Sequence, residues 1–149
     1  MFIVKVKIIY LTLSLLVGIY FLIVISIYLF QRSLLYHPAE NNYLEEKLLE
    51  HNIQKIVIPS EHELTGWYYK KNPKFKTLLF FHGNAGKLEN RIYKLNDLSK
   101  LNINYLIIAY RGFSGNEGSP SEDGLYLDAR AAKKWLNSNG IDDSNIILY

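Results

Sequence analysis

The sequence contains no cysteine, which excludes disulfide staples and thiolate zinc sites and says nothing firm about compartment. It also lacks a basic face for nucleic acid. The formal net charge is +3, Lys5 and Lys7 precede an apolar segment, and the remaining basic and acidic residues nearly cancel. A phosphate-binding loop is missing as well. Gly83-Asn-Ala-Gly-Lys87 has two residues between its glycines where four are needed, and Leu88 stands where a magnesium-binding Ser or Thr belongs. Gly112, Gly115 and Gly118 do not follow the Gly-x-Gly-x-x-Gly of a dinucleotide site. In Gly112-Phe-Ser-Gly-Asn116 the second glycine of a nucleophile elbow is absent, so Ser114 reads as a loop hydroxyl that satisfies backbone groups. His37, His51 and His62 lie in polar connectors with no second ligand at metal-binding spacing, and read as surface residues. Neither a metal nor a cofactor is expected.

Charge is absent from Ile8 to Phe30. As a helix this stretch spans about 34 Å, enough to cross a hydrocarbon core of about 30 Å. The competing reading is a cleaved signal peptide. The apolar run is longer than such a region needs, and no small-x-small site follows it. We therefore expect residues 1–31 to form a transmembrane anchor that meets lipid through residues 8–30, with residues 32–52 as a juxtamembrane segment. Lys5, Lys7 and the terminal amine outweigh Arg32 and the more distant Lys47, which favours a cytoplasmic N-terminus and a single-pass protein with its domain on the far side.

Residues 53–149 read as alternating elements. Asn42 to Asn52, with Leu44, Leu48 and Leu49, has the spacing of a short helix. Ile53 to Ile58 and Leu64 to Tyr69 are β-prone, and the polar Ser60 to Glu63 between them predicts an antiparallel hairpin. Leu78 to Phe81 is an unbroken apolar run, the mark of a strand buried on both faces. The tetrad Gly83-Asn-Ala-Gly86 follows at once. Its glycines permit a tight turn and a close approach of bare backbone to a ligand. Leu88, Ile92, Leu95, Leu98 and Leu101 then line one face of a predicted helix, so the turn leads to a helix N-terminus that favours negative charge. Ile103 to Tyr110 predicts another strand, followed by the loop Arg111-Gly-Phe-Ser-Gly-Asn-Glu-Gly118. Ser119-Pro-Ser-Glu122 reads as a capping box with Ser119 as N-cap. The helix that follows carries Leu125, Ala129, Ala132 and Leu136 on one face, and Glu122 and Asp128 are assigned to stabilising its first half or a neighbouring loop. Asn145 to Tyr149 begins a last strand. The order predicts an α/β fold, a hairpin and then a parallel β-α-β-α-β sheet with helices on both faces and glycine loops at the carboxyl ends of strands.

Phe81-His-Gly-Asn-Ala-Gly86 after one strand, Ala109-Tyr-Arg-Gly-Phe-Ser-Gly-Asn-Glu-Gly-Ser-Pro120 after the next, and Glu122 to Ala132 with Trp135-Leu136 beyond resemble the α/β-hydrolase superfamily. The likeness is to membrane-anchored α/β-hydrolase-domain proteins of the serine aminopeptidase/esterase-like group, which similarly carry one N-terminal transmembrane helix and an exit like Tyr36-His-Pro38. It is strongest from Thr77 to Leu136. Ala109 stands where such proteins often have Asp.

The resemblance implies that residues 53–149 form the N-terminal part of a hydrolase domain. Asn84 would contribute its backbone N–H to an oxyanion hole in a loop of His82, Gly83, Asn84 and Gly86, braced by Tyr110, Arg111 and Gly112. In that family the triad runs Ser, then Asp or Glu, then His, with the Ser on the turn after the fifth strand. All four histidines (His37, His51, His62 and His82) precede Asn145 to Tyr149, so no catalytic triad is assigned to this chain. The expected function is thus the N-terminal fragment of a membrane-anchored serine hydrolase acting on ester, thioester or amide bonds, inactive alone. The alternative is a non-catalytic single-pass protein whose truncated domain binds a partner, with a separately encoded C-terminal half as the candidate.

Overall fold

The computed structural model describes residues 2–40, 48 and 51–149. It divides into two units, Met1–Leu35 and Tyr36–Tyr149. The first is one helix, α1 (Phe2–Leu35), long and apolar enough to cross a membrane. Its aliphatic and aromatic side chains are exposed on every side, a pattern that suits an apolar surrounding. Two of its hydroxyls bond back to the helix. Thr12 Oγ1 donates to the Ile8 carbonyl and Ser33 Oγ to that of Phe30, both at 2.9 Å.

The second unit is built on a mixed sheet of β2 (Gln54–Ile58), β3 (Leu64–Tyr69), β4 (Thr77–Phe81), β6 (Asn104–Ile108) and β7 (Ile146–Leu148), in the order β2-β3-β6-β4-β7. The expected hairpin is present, with Gln54 opposite Tyr68 and Ile58 opposite Leu64. β3 runs antiparallel to β6, while β4 is parallel to both β6 and β7. The α/β class and the order hairpin, then parallel strands, are as expected. A separate pair of two-residue strands, β1 (His37–Pro38) and β5 (Ala85–Gly86), runs parallel.

Unbroken apolar strands have a reason here, because both faces of the sheet are covered. Leu78 and Phe80 of β4 join Trp67, Tyr105 and Ile107 in a core completed by Leu88 and Leu95. Leu79 points the other way, into a core with Leu106, Ile108, Ala132 and Leu136. The alternation along β4 thus feeds two cores, one closed by α2 (Ile92–Ser99) and its preceding turn, the other by α3 (Glu122–Ser138).

Several local expectations are corrected. The helix predicted from Leu88 starts as a 3-10 turn, Leu88–Arg91, and becomes α-helical only at Ile92. Leu101 lies beyond its end and is exposed. The N-cap of α3 is Ser121, not Ser119, and the Ser121 hydroxyl accepts from the Gly124 N–H. Pro120 is withheld from the helix because its ring packs on Gly112. The buried stripe of α3 is Gly124, Asp128, Ala132 and Leu136, so Leu125 and Ala129 are only half-buried. Of the helix predicted over Asn42 to Asn52, Leu44 and Leu49 lie outside the described residues. Leu48 is buried in the first core.

Candidate functional site

The carboxyl ends of the parallel strands β4 and β6 open into two loops, residues 82–87 and 109–120. His82 joins them. Its buried ring sits edge-on to Tyr110 and Phe113, with centroids 4.9 and 4.8 Å away. The Tyr110 N–H lies 3.3 Å from Nε2, and an amide can only donate, so Nε2 accepts and the proton resides on Nδ1. Nδ1–H then donates to the Gly83 carbonyl at 2.7 Å. Burial pulls the His82 pKa down to about 4, against the bond to Gly83 and aided by the charge on Arg91. The imidazole is therefore neutral at pH 7, and acts as a two-ended clip instead of a base.

The segment after α1 holds the other end of the loop. His37 N–H donates to the Asn84 carbonyl at 2.8 Å and Ala39 N–H to that of Gly86 at 3.1 Å. Arg91 Nη2 reaches the Ala85 carbonyl at 2.8 Å. Gly86 takes φ +84°, a left-handed conformation that other residues resist. Between these fixings Gly83, Asn84 and Ala85 are exposed. No atom of another segment lies within 4 Å of where a Cβ on Gly83 would project. The loop thus presents rigidly held main chain to an open space.

The N–H groups at the start of the following turn are not open to a ligand. Lys87 N–H is taken by Asn90 Oδ1 at 3.0 Å, Leu88 N–H by Ser114 Oγ at 2.9 Å, and Asn90 N–H by the Lys87 carbonyl at 3.1 Å. The expected anion-favouring helix start is filled by the protein itself, and the exposed backbone lies upstream of it.

Arg111 braces its own loop from below. Its guanidinium holds buried Asp128 through Nη2–Oδ1 at 2.8 Å and Nε–Oδ1 at 3.1 Å, while its backbone N–H donates to Oδ2 at 2.9 Å. Nη1 reaches Glu61 at 2.9 Å. A Cβ on Gly124 would meet Arg111 Cδ at 2.7 Å, so glycine there admits the side chain. Gly112 takes φ +76° against Pro120. The structure thus brings His82 to Tyr110, while the Arg111 side chain is buried against Asp128 and Gly112 lies against Pro120. Tyr110 is itself pushed up to about 12, by burial first and then by Asp128, and stays neutral.

Ser114 holds three segments together. Its N–H donates to the Ala39 carbonyl at 2.9 Å and its hydroxyl accepts from Leu88, which places it at the junction of the strap and both loops. The hydroxyl satisfies backbone groups, as the sequence suggested. Sequence reasoning placed Asp128 against its helix start or a neighbouring loop without naming a partner, and that partner is Arg111. It missed Glu61 as the third member of the network. It quoted the exit Tyr36-His-Pro38 and missed its pairing with the β4 loop. Among the described residues, no three His, Asp or Glu side chains gather as a metal would require.

No family model matches the chain. It is 36% identical over 90 residues to the α/β-hydrolase-domain-containing protein WAV2 of Arabidopsis thaliana, covering 58% of this chain and 29% of that protein. Among solved structures it is similar to an α/β hydrolase of Vibrio vulnificus, with 37% identity and a TM-score of 0.61 over 70% of this chain and 39% of that one. An esterase of Pyrococcus furiosus matches at 25% identity and a TM-score of 0.56, over 70% of this chain and 42% of the esterase. The chain spans less than half the length of the curated relatives it matches. Strand order, the two loops and these likenesses agree, and the chain belongs to the α/β-hydrolase superfamily.

Proposed function

We propose that this chain supplies the oxyanion-hole side of a membrane-anchored serine hydrolase acting on ester, thioester or amide bonds, of the serine aminopeptidase/esterase-like kind. The observation that carries the reading is the β4 loop, an exposed backbone segment fixed at both ends on the carboxyl edge of the parallel strands. A tetrahedral oxyanion needs donors that are in place before charge develops, and one such donor is worth about 3–4 kcal/mol. The Asn84 N–H is the donor we assign. The nucleophile belongs on a turn after a strand like β7, followed in chain order by the acid and the histidine. The 149 residues contain neither a Gly-x-Ser-x-Gly nor a histidine after His82. Alone, then, the chain is inactive.

Anchorage through residues 8–30, with the N-terminus in the cytoplasm, rests on the length of α1 and on Lys5 and Lys7. A reporter fused at Lys70 is expected to behave as translocated, and cytoplasmic behaviour would reverse the orientation.

The functional test is labelling by a fluorophosphonate, which reports an activated serine. The 149-residue chain should remain unlabelled. Co-expressed with the part of the Vibrio vulnificus hydrolase that it does not match, it should restore labelling on that partner. Labelling of the chain alone, abolished by Ser114→Ala, would overturn the reading. A second reading is a non-catalytic domain that binds a partner, and stable association without restored labelling would select it.

A further inference from the structure

We propose that residues 37–39 are a latch that switches the β4 loop between a held and a released state while the fold stays intact. The inference rests on the oxyanion reading above only for its catalytic consequence, and it deepens that reading by naming how the site is regulated. The strap belongs to the same unit as the loop it holds, Tyr36–Tyr149.

Little attaches the strap besides its main chain. His37, Pro38 and Ala39 are all exposed, and none of them enters either core. His37 pairs with Ala85 and Pro38 with Gly86, and the His37 and Ala39 N–H groups donate to the Asn84 and Gly86 carbonyls. Pro38 has no N–H to give, and in an alternating strand its nitrogen faces away from the loop. Neutral main-chain bonds that water can replace contribute modestly each. Peeling the strap away therefore costs a few such bonds and no buried apolar surface, so the two states lie close in free energy.

The loop, in contrast, depends on the strap. Asn84 and Gly86 lose these donors when it leaves, and β5 pairs with no other strand among the described residues. Ser114 carries the change into the second loop. It stands at φ +55°, a left-handed conformation that serine keeps only where its surroundings enforce it. One enforcing bond runs from its N–H to the Ala39 carbonyl, the other from Leu88 N–H to its hydroxyl, both at 2.9 Å. With the first gone, Ser114 relaxes and its hydroxyl turns off Leu88, which frees the turn after the β4 loop. His82 and Arg91 stay on Gly83 and Ala85, so the loop loosens without leaving its place.

The test removes the two donors in the full chain, held in detergent micelles. His37→Pro with Ala39→Pro leaves three consecutive prolines and no N–H for the loop, whereas His37→Ala with Ala39→Ser keeps both N–H groups. Because the chain has no cysteine, Ala85→Cys and Lys134→Cys each place one nitroxide, the first on the loop and the second on an exposed position of α3. Two bonds lost should shift the held-to-released ratio by about 30-fold. The expected result is a mobile spectrum at Ala85 in the proline variant alone, with Lys134 unchanged throughout. Co-expressed with the complementary part of the Vibrio vulnificus hydrolase, the proline variant should also slow fluorophosphonate labelling about tenfold or more. An Ala85 spectrum as rigid with the prolines as without them overturns the latch, because His82 and Arg91 would then suffice. Mobility at both Ala85 and Lys134 overturns it too, since the strap would be holding the whole domain. A mobile loop with undiminished labelling overturns its control of the site. No labelling with the unaltered chain contradicts the hydrolase reading alone, and the spectra still decide the latch.

Discussion

The two glycine-rich loops at the carboxyl edge follow neighbouring parallel strands, yet they use glycine differently. In the loop after β6, glycine lets the chain close on itself. Gly112 donates to the Asn116 and Glu117 carbonyls at 3.2 and 3.1 Å, and a Cβ there would come within 2.8 Å of Pro120. Beneath it Arg111 and Asp128 form a buried pair. In the loop after β4, Gly83 has open space around it, and the fixings come from outside through the His82 ring, the strap and Arg91. One loop is a brace; the other is a platform held by braces. A glycine after a strand therefore marks a site only where the space it leaves is not refilled by the protein.

If that division is right, damage to the brace should cost the most stability. Asp128→Ala leaves Arg111 buried without its main partner and is expected to destabilise the chain by about 3–5 kcal/mol, read by thermal unfolding in detergent. A loss below about 1 kcal/mol would mean that Arg111 escapes to water and braces nothing.

The clip at His82 gives the next largest effect, through pH. The unfolded imidazole takes up a proton near 6.5 and the folded one only near 4. Between those values the unfolded state binds more protons, so stability must fall as pH drops from about 6.5 to about 4 and level off below. The loss is on the order of 3 kcal/mol. Comparing denaturant midpoints with those of His82→Asn isolates it, since the variant should lack that portion of the pH dependence. Equal pH profiles would mean that His82 is not held neutral by burial.

Ser114→Ala should cost about 1–3 kcal/mol by leaving the N–H of buried Leu88 without its acceptor. Loss of protection at the Leu88 amide in hydrogen exchange would locate the effect. The smallest change concerns the helix cap. Ser121→Ala is expected to lower stability by about 1 kcal/mol, whereas Ser119→Ala should stay within about 0.5 kcal/mol. The reverse ranking would restore the cap to Ser119.

Much of this was legible in the sequence because it follows from periodicity. The run Leu78 to Phe81 announced a strand covered on both sides, and the hairpin followed from two β-prone runs around Ser60 to Glu63. What escaped were features set by contacts distant in the chain. Pro120 fits the first position of a helix by local rules, but Gly112 holds it outside. Leu88 has helical spacing, yet its N–H is claimed by Ser114 from the next loop. His37 to Ala39 carries no strand pattern at all, since two residues paired with a glycine turn leave no periodicity to read. The loop residues His82 to Gly86 could be named from their motif, whereas the atoms that immobilise them could not.

The most direct test of the account replaces one amide hydrogen. In the chain co-expressed with the complementary part of the Vibrio vulnificus hydrolase, Asn84→Pro removes the N–H assigned to the oxyanion, while Asn84→Ala keeps it. Asn84→Pro is expected to lower kcat on a p-nitrophenyl ester by about 10²–10³-fold, with Asn84→Ala near the unaltered rate and both pairs assembling equally. Equal rates for the two variants, in assembled pairs, would contradict the assignment of the Asn84 N–H.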